Sequence, residues 1–129
     1  MRNVRFLIVG LSALVAVSGA WAGEKWLDEF DLATMSCGVG KRPQINKSCL
    51  GNPLRMGAGV YTRGVGTHGE SVFVLKANGK VKAFDAIVGL DKDALEMKFW
   101  AARKGWAQVQ FRVYADGRKI AESPLVQEG

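Results

Sequence analysis

One imidazole bounds the chemistry open to this chain. His68 is the only histidine, so acid–base or metal chemistry resting on imidazole must use it. A general base or an activated nucleophile needs a second group within hydrogen-bond reach, and no nucleophile motif surrounds a serine or cysteine. His68 sits in Gly64-Val-Gly66-Thr-His-Gly69, which matches the G-x-G-x-x-G spacing letter for letter. That spacing binds dinucleotides only between a strand and a helix whose N-terminus faces the pyrophosphate. Here Glu70-Ser-Val-Phe-Val-Leu75 follows, which reads as a strand. Gly64, Gly66 and His68 are therefore expected to form a structural turn, pinned by hydrogen bonds of the imidazole. Glycoside hydrolysis would need paired carboxylates at a fixed separation, and the acids here are scattered mostly in turns. The expectation is a protein that is not an enzyme.

The aromatic residues suit binding better. Phe99-Trp100 and Trp106 flank Ala101-Ala-Arg-Lys-Gly105. Sugars present apolar C–H faces that stack on indole rings, and their hydroxyls accept hydrogen bonds from arginine. Trp100, Arg103 and Trp106 form the candidate ligand-binding set. Of these Trp106 is the more readily assigned to the core, since large aromatics dominate burial in small domains. Trp26 and Phe30, placed on a first strand, are expected in the core. Asn46-Lys-Ser48 has the form of a glycosylation acceptor, relevant only in a eukaryotic secretory pathway.

Strands separated by turns must position these groups. Ala107 to Tyr114 puts Val109, Phe111 and Val113 on one face and Gln108, Gln110 and Arg112 on the other, a period of two. Asp116-Gly117 is the dipeptide favoured in hairpin turns with positive φ at both central residues, and Arg118 to Glu122 is the expected returning strand. Ser71 to Leu75 and Val81 to Leu90 also read as strands, joined at Asn78-Gly79. A helix is hinted only at 93–103. From Ser36 to Gly59 the chain is rich in Gly, Pro, Asn, Lys and Ser, and reads as a long ordered loop with a short strand near Leu54 to Met56.

A loop of that length needs an anchor. Cys37 and Cys49 lie near its start and middle and are the only cysteines. In an oxidising compartment such a pair reads as a disulfide. The compartment follows from the N-terminus: Met1-Arg-Asn-Val-Arg5 is basic, Phe6 to Ala20 is uncharged and apolar, and Ser18-Gly-Ala-Trp-Ala22 supplies small residues for cleavage. This is the plan of a secretory signal over residues 1–22, cut between Ala22 and Gly23. The apolar run is too short for a spanning helix of roughly 20 residues, so no stable membrane insertion is expected after cleavage. Secretion or export to a periplasm follows. Of 18 basic residues, all but Arg2 and Arg5 remain in 23–129, leaving 16 against 12 acids, interspersed along the chain. Nucleic-acid binders concentrate charge in a stripe or run, so nucleic acid is not an expected partner.

The order of motifs has a family likeness. Trp26-Leu-Asp28 is followed by Gly51-Asn-Pro-Leu54, Tyr61-Thr-Arg-Gly-Val-Gly-Thr-His68, Phe84-Asp-Ala-Ile-Val-Gly-Leu-Asp91 and Phe111-Arg-Val-Tyr-Ala-Asp-Gly117. The series resembles the NPCBM/NEW2 domain, a carbohydrate-binding module found with secreted glycoside hydrolases, over nearly all of 23–129. The resemblance implies an all-β fold, a β-sandwich of jelly-roll type, here lacking its last strands because the family domain continues past the Asp-Gly hairpin. Some family members hold a structural calcium ion, for which Asp91 and Asp93 are acceptable oxygen ligands. The function implied is a non-catalytic module binding galactose-type glycans, with a linked catalytic domain absent from this chain. The alternative is a cell-envelope domain that contacts protein and binds no sugar.

Overall fold

The structure is a computed structural model and describes residues 3–10, 13–14, 20–21, 23–38, 42–76, 79, 81, 83–97 and 107–127. Eleven strands are described: β1 (Asn3–Gly10), β2 (Ala13–Leu14), β3 (Ala20–Trp21), β4 (Gly23–Glu24), β5 (Gln44–Ile45), β6 (Leu54–Met56), β7 (Gly59–Tyr61), β8 (Val65–Thr67), β9 (Ser71–Lys76), β10 (Val109–Ala115) and β11 (Arg118–Glu122). One short helix, α1 (Lys92–Glu96), and 3₁₀ turns at Leu27–Glu29 and Leu32–Thr34 complete the described elements. The fold is mostly strand with little helix, as an all-β reading requires.

The strands form small sheets in the orders β11-β10-β1-β9, β2-β8-β5, β3-β4 and β6-β7. The jelly-roll pairing of two large sheets is not formed among the described residues. β10 shows the expected period, with Val109, Phe111 and Val113 buried and the residues between them half-buried. Its hairpin to β11 turns at Asp116 (φ 50°) and Gly117 (φ 81°), the pair of positive angles a two-residue hairpin demands. β9 likewise alternates, burying Ser71, Phe73 and Leu75. The inward faces of β9 and β10 meet Leu27, Met35, Val65 and Leu90 in one core cluster, and Phe73, Val109 and Leu90 are exposed by 1% or less.

Three expectations are corrected. The segment 83–90 forms no strand of the described sheets, although Phe84 and Val88 pack on the core half-buried. The edge of β9 that a hairpin would use is occupied elsewhere: β1 pairs along one side, and Ser36 bridges Val72. Trp26 opens a 3₁₀ turn rather than riding a strand, its N–H donating to Glu29 Oε2 at 2.6 Å. Of the helix hinted over 93–103, α1 forms a single turn and a half ending at Glu96, and residues 98–103 lie outside the described residues. Among the described residues no helix is long and apolar enough to cross a membrane.

Candidate functional site

The turn at His68 is built as a clamp between distant segments. β5 and β8 pair through Gln44↔Gly66 and Ile45↔Val65, which draws the 42–48 loop across β8. A side chain at position 66 would place its Cβ 2.2 Å from the Lys47 carbonyl and 2.6 Å from Ser48 Cα, so only glycine permits this approach. The His68 N–H donates to Cys37 Sγ at 3.3 Å, and Thr67 Oγ1 donates to the same sulfur at 3.3 Å. His68 Nδ1 lies 2.9 Å from the Gly69 carbonyl, and Ser71 Oγ bonds the His68 carbonyl. The imidazole therefore serves the turn, and β9 follows where a nucleotide-binding fold would need a helix.

The expected Cys37–Cys49 disulfide is not formed in the structure. The reason lies at Cys37, whose sulfur is turned into the 67–68 backbone and also donates to the His68 carbonyl at 3.7 Å. Cys49 is buried.

Asp91 and Asp93 are 2% and 7% exposed. Asp91 caps α1: its Oδ1 accepts from the Asp93 N–H at 2.9 Å, and its Oδ2 accepts from the Arg55 N–H at 2.8 Å. Asp93 accepts from the Ser48 hydroxyl, from Asn52 Nδ2 at 3.1 Å and from Arg55 Nη2 at 3.1 Å. Arg55 also reaches Glu96 at 2.9 Å, and the bonds to Glu96 and then to Asp93 hold its guanidinium more firmly protonated. These contacts clasp the 48–56 segment to α1. Calcium takes six to eight oxygen ligands. Here each carboxylate faces N–H and O–H donors that a cation would have to displace, and the described residues contain no group of three or more metal-ligating side chains.

Trp100, Arg103 and Trp106 lie outside the described residues. A cleft that the sequence did not single out lies elsewhere, between Phe30–Met35 and Arg42–Lys47, with a volume of about 860 Å³. Its walls mix the half-buried ring of Phe30 with Asp31, Arg42, Gln44 and Lys47. Asp31 caps the Leu32–Thr34 turn by accepting from the Ala33 N–H at 2.9 Å. Lys25 Nζ stands 4.3 Å from the centre of the Phe30 ring, a cation–π distance. The neighbouring 3₁₀ turn carries Asp28, which Arg63 grips through Nε at 3.1 Å and Nη2 at 2.9 Å. The same guanidinium lies 4.8 Å from the centre of the Trp26 ring. Asn46 ties this corner to the cleft, its N–H donating to the Gly64 carbonyl at 2.8 Å and its Oδ1 accepting from the Gly64 N–H at 2.9 Å. Phe30 packs against the core and is faced by Lys25, so it can take the apolar face of a ring-shaped polar molecule where Lys25 moves aside, with Asp31, Arg42, Gln44 and Lys47 placed to bond the rim, which is the recognition chemistry of a sugar.

Residues 23–129 match the NPCBM/NEW2 domain. The chain belongs to that family. A relative from Renibacterium salmoninarum, which bears the name "Putative endo-alpha-N-acetylgalactosaminidase", is 30% identical over 79 residues. The match takes in 61% of this chain but only 5% of the relative's length. No solved structure matches significantly. Of the residues that carry the NPCBM/NEW2 resemblance, Gly66 and His68 lie in the clamp and Asp91 in the helix cap.

Proposed function

We propose that this NPCBM/NEW2 domain is a non-catalytic carbohydrate-binding module of an exported glycoside hydrolase. The carrying observation is the family match over 23–129 together with a relative named as a glycosidase, of which the shared region is a small part. A module of this kind holds a catalytic domain near its polymer, raising the effective concentration of substrate. The side chains support a binding role over a hydrolytic one. Asp28, Asp91, Asp93 and Glu122 are each engaged by a cation or by hydrogen-bond donors, whereas glycosidases keep two carboxyl groups facing a shared substrate.

The ligand class is a galactose-type glycan, including the N-acetylated sugar in the relative's name. Its apolar face would displace Lys25 from the Phe30 ring in the cleft, with Arg42, Gln44 and Lys47 available to the hydroxyls, and Trp100, Arg103 and Trp106 are the further stacking candidates of the sequence. The domain works outside the cytoplasm, in the medium or a periplasm. A glycan array followed by calorimetry tests this: galactose- or N-acetylgalactosamine-terminated glycans should bind, and Phe30→Ala should weaken binding about tenfold or more, a ring contact being worth about 1.4 kcal/mol. A folded protein that binds no glycan would overturn the proposal and favour the protein-contact alternative.

A further inference from the structure

The cleft at Phe30 carries more positive charge than a neutral sugar can use. Arg42 and Lys47 stand on one wall, and Asp31, on the other, is the single carboxylate among its described lining residues. Asp31 turns one oxygen back onto the Ala33 N–H. The acids of the neighbouring 3₁₀ turn are already taken, since Arg63 reaches Asp28 at 2.9 Å and Glu29 at 3.4 Å. Arg42 and Lys47 are exposed, and among the described residues neither meets a carboxylate or makes a side-chain hydrogen bond. Arg55, Arg63, Arg112 and Lys119, by contrast, are each paired with an acid.

Lys25 adds a third cation, its Nζ 4.3 Å from the centre of the Phe30 ring. A sugar that takes this ring face must move the ammonium. A neutral sugar forfeits the cation–π contact with nothing in exchange. A sugar with an anionic substituent regains an attraction, because the flexible lysine stem lets the displaced ammonium turn to that substituent.

We propose that the cleft selects an acidic galactose-type glycan, one carrying a uronic carboxylate or a sulfate ester on the ring that stacks on Phe30. The proposal rests on the carbohydrate reading above and narrows it. Arg42 can take two oxygens of either group at once through its planar fork, while Lys47 and the displaced Lys25 act as point charges. The two walls also fix orientation. The anionic edge of the ring faces Arg42 and Lys47, and the free oxygen of Asp31 accepts from a hydroxyl on the opposite edge and repels an anion placed there. Exposed ion pairs are individually weak, so selectivity comes from several cations acting on one group.

The test titrates the full chain, at low salt, with the methyl glycosides of galactose, galacturonic acid and galactose 6-sulfate. At least one acidic sugar should bind about tenfold tighter than galactose, the sum of three screened pairs. Which acid gains tells a carboxylate ligand from a sulfated one. The preference should fall towards one in about 1 M salt, where charges are screened beyond about 3 Å. Arg42→Gln and Lys47→Gln should each cut it about twofold or more. Arg118→Gln, which removes the same charge from exposed β11, should leave it unchanged. Equal binding of the three sugars would overturn the proposal while leaving the carbohydrate reading in place. So would a preference that Arg118→Gln reduces as much as Arg42→Gln, since attraction to the net charge would then explain it. Binding of none of the three would overturn both.

Discussion

Replacing Asp93 by alanine probes the clasp that joins the 48–56 segment to α1. The side chain of Asp93 is 6% exposed and accepts from Ser48, Asn52 and Arg55. Ser48 is fully buried, so its hydroxyl proton loses a charged acceptor with no water to replace it, a cost of about 1–3 kcal/mol. Its oxygen still accepts from the N–H groups of Leu50 and Asn52, at 3.3 and 3.2 Å. Arg55 is 30% exposed and keeps Glu96, so the ion pair itself adds no more than about 1 kcal/mol. Asn52 is exposed and rehydrates. The sum is about 3 kcal/mol, which lowers Tm by about 12–24 °C for a domain of this size. Asp93→Asn keeps an acceptor for Ser48 and should cost about 1 kcal/mol. Urea unfolding of the full chain, followed by tryptophan fluorescence, measures both variants. An alanine variant within about 0.5 kcal/mol of the parent would refute the clasp, as would asparagine costing as much as alanine. Calcium and chelator should leave the parent's midpoint unmoved, because the carboxylates already face donors. A calcium-dependent rise that Asp93→Ala abolishes would show a cation displacing Arg55 and Asn52.

Gly66→Ala should prevent the 42–48 loop from crossing β8, because its Cβ would lie 2.2 Å from a backbone oxygen; a cooperative unfolding transition with an unchanged midpoint would refute this. Thiol titration in denaturant without reductant should count two reactive cysteines, and a count of zero would mean that Cys37 leaves the His68 backbone to pair with Cys49. Lys119 and then Arg112 hold the Glu122 carboxyl below its ordinary value. A depressed carboxylate contributes stability above its unfolded pKa and loses it as pH falls through the folded one, so the β10–β11 edge should loosen only in acid below the ordinary glutamate range. An NMR titration of Glu122 checks the sign, and Lys119→Met should raise its midpoint.

What the residues revealed follows the range of the forces involved. β10 was legible because Val109, Phe111 and Val113 record burial at a period of two, and the Asp116–Gly117 turn was legible because its angles exclude most other pairs. Both are local. The 83–90 segment has the same alternation, yet whether it joins a ladder depends on which strand reaches β9 first, and no residue of 83–90 carries that information. Asp91 and Asp93 looked like oxygen ligands because their side chains supply oxygens. Their actual partners, Ser48 and Arg55, stand 45 and 38 residues from Asp93, a distance at which spacing is silent. The cleft went unread for the same reason. Phe30 does pack half-buried against the core, as read, but Arg42-Pro-Gln44 looked like loop, and only the β5–β8 pairing brings the two segments to one surface.

The N-terminus shows where one pattern serves two readings. An uncharged apolar run is what a secretory leader presents, and it is also what a strand covered on both faces presents. Composition cannot separate them, but the order of synthesis can. β9 begins 61 residues after β1 ends, and β10 begins 99 residues after it. At about 5–20 residues per second, roughly 3–12 s pass before β9 exists to pair with β1, and longer before β10 does. Throughout that interval the segment has no ladder to join, and recognition as a leader meets no competition from the fold. Pairing with β9 and β10 would then capture only chains that export machinery has failed to engage. Residues 3–10 complete the sheet in the folded chain, and the leader role expected of 1–22 would be exercised before that sheet exists.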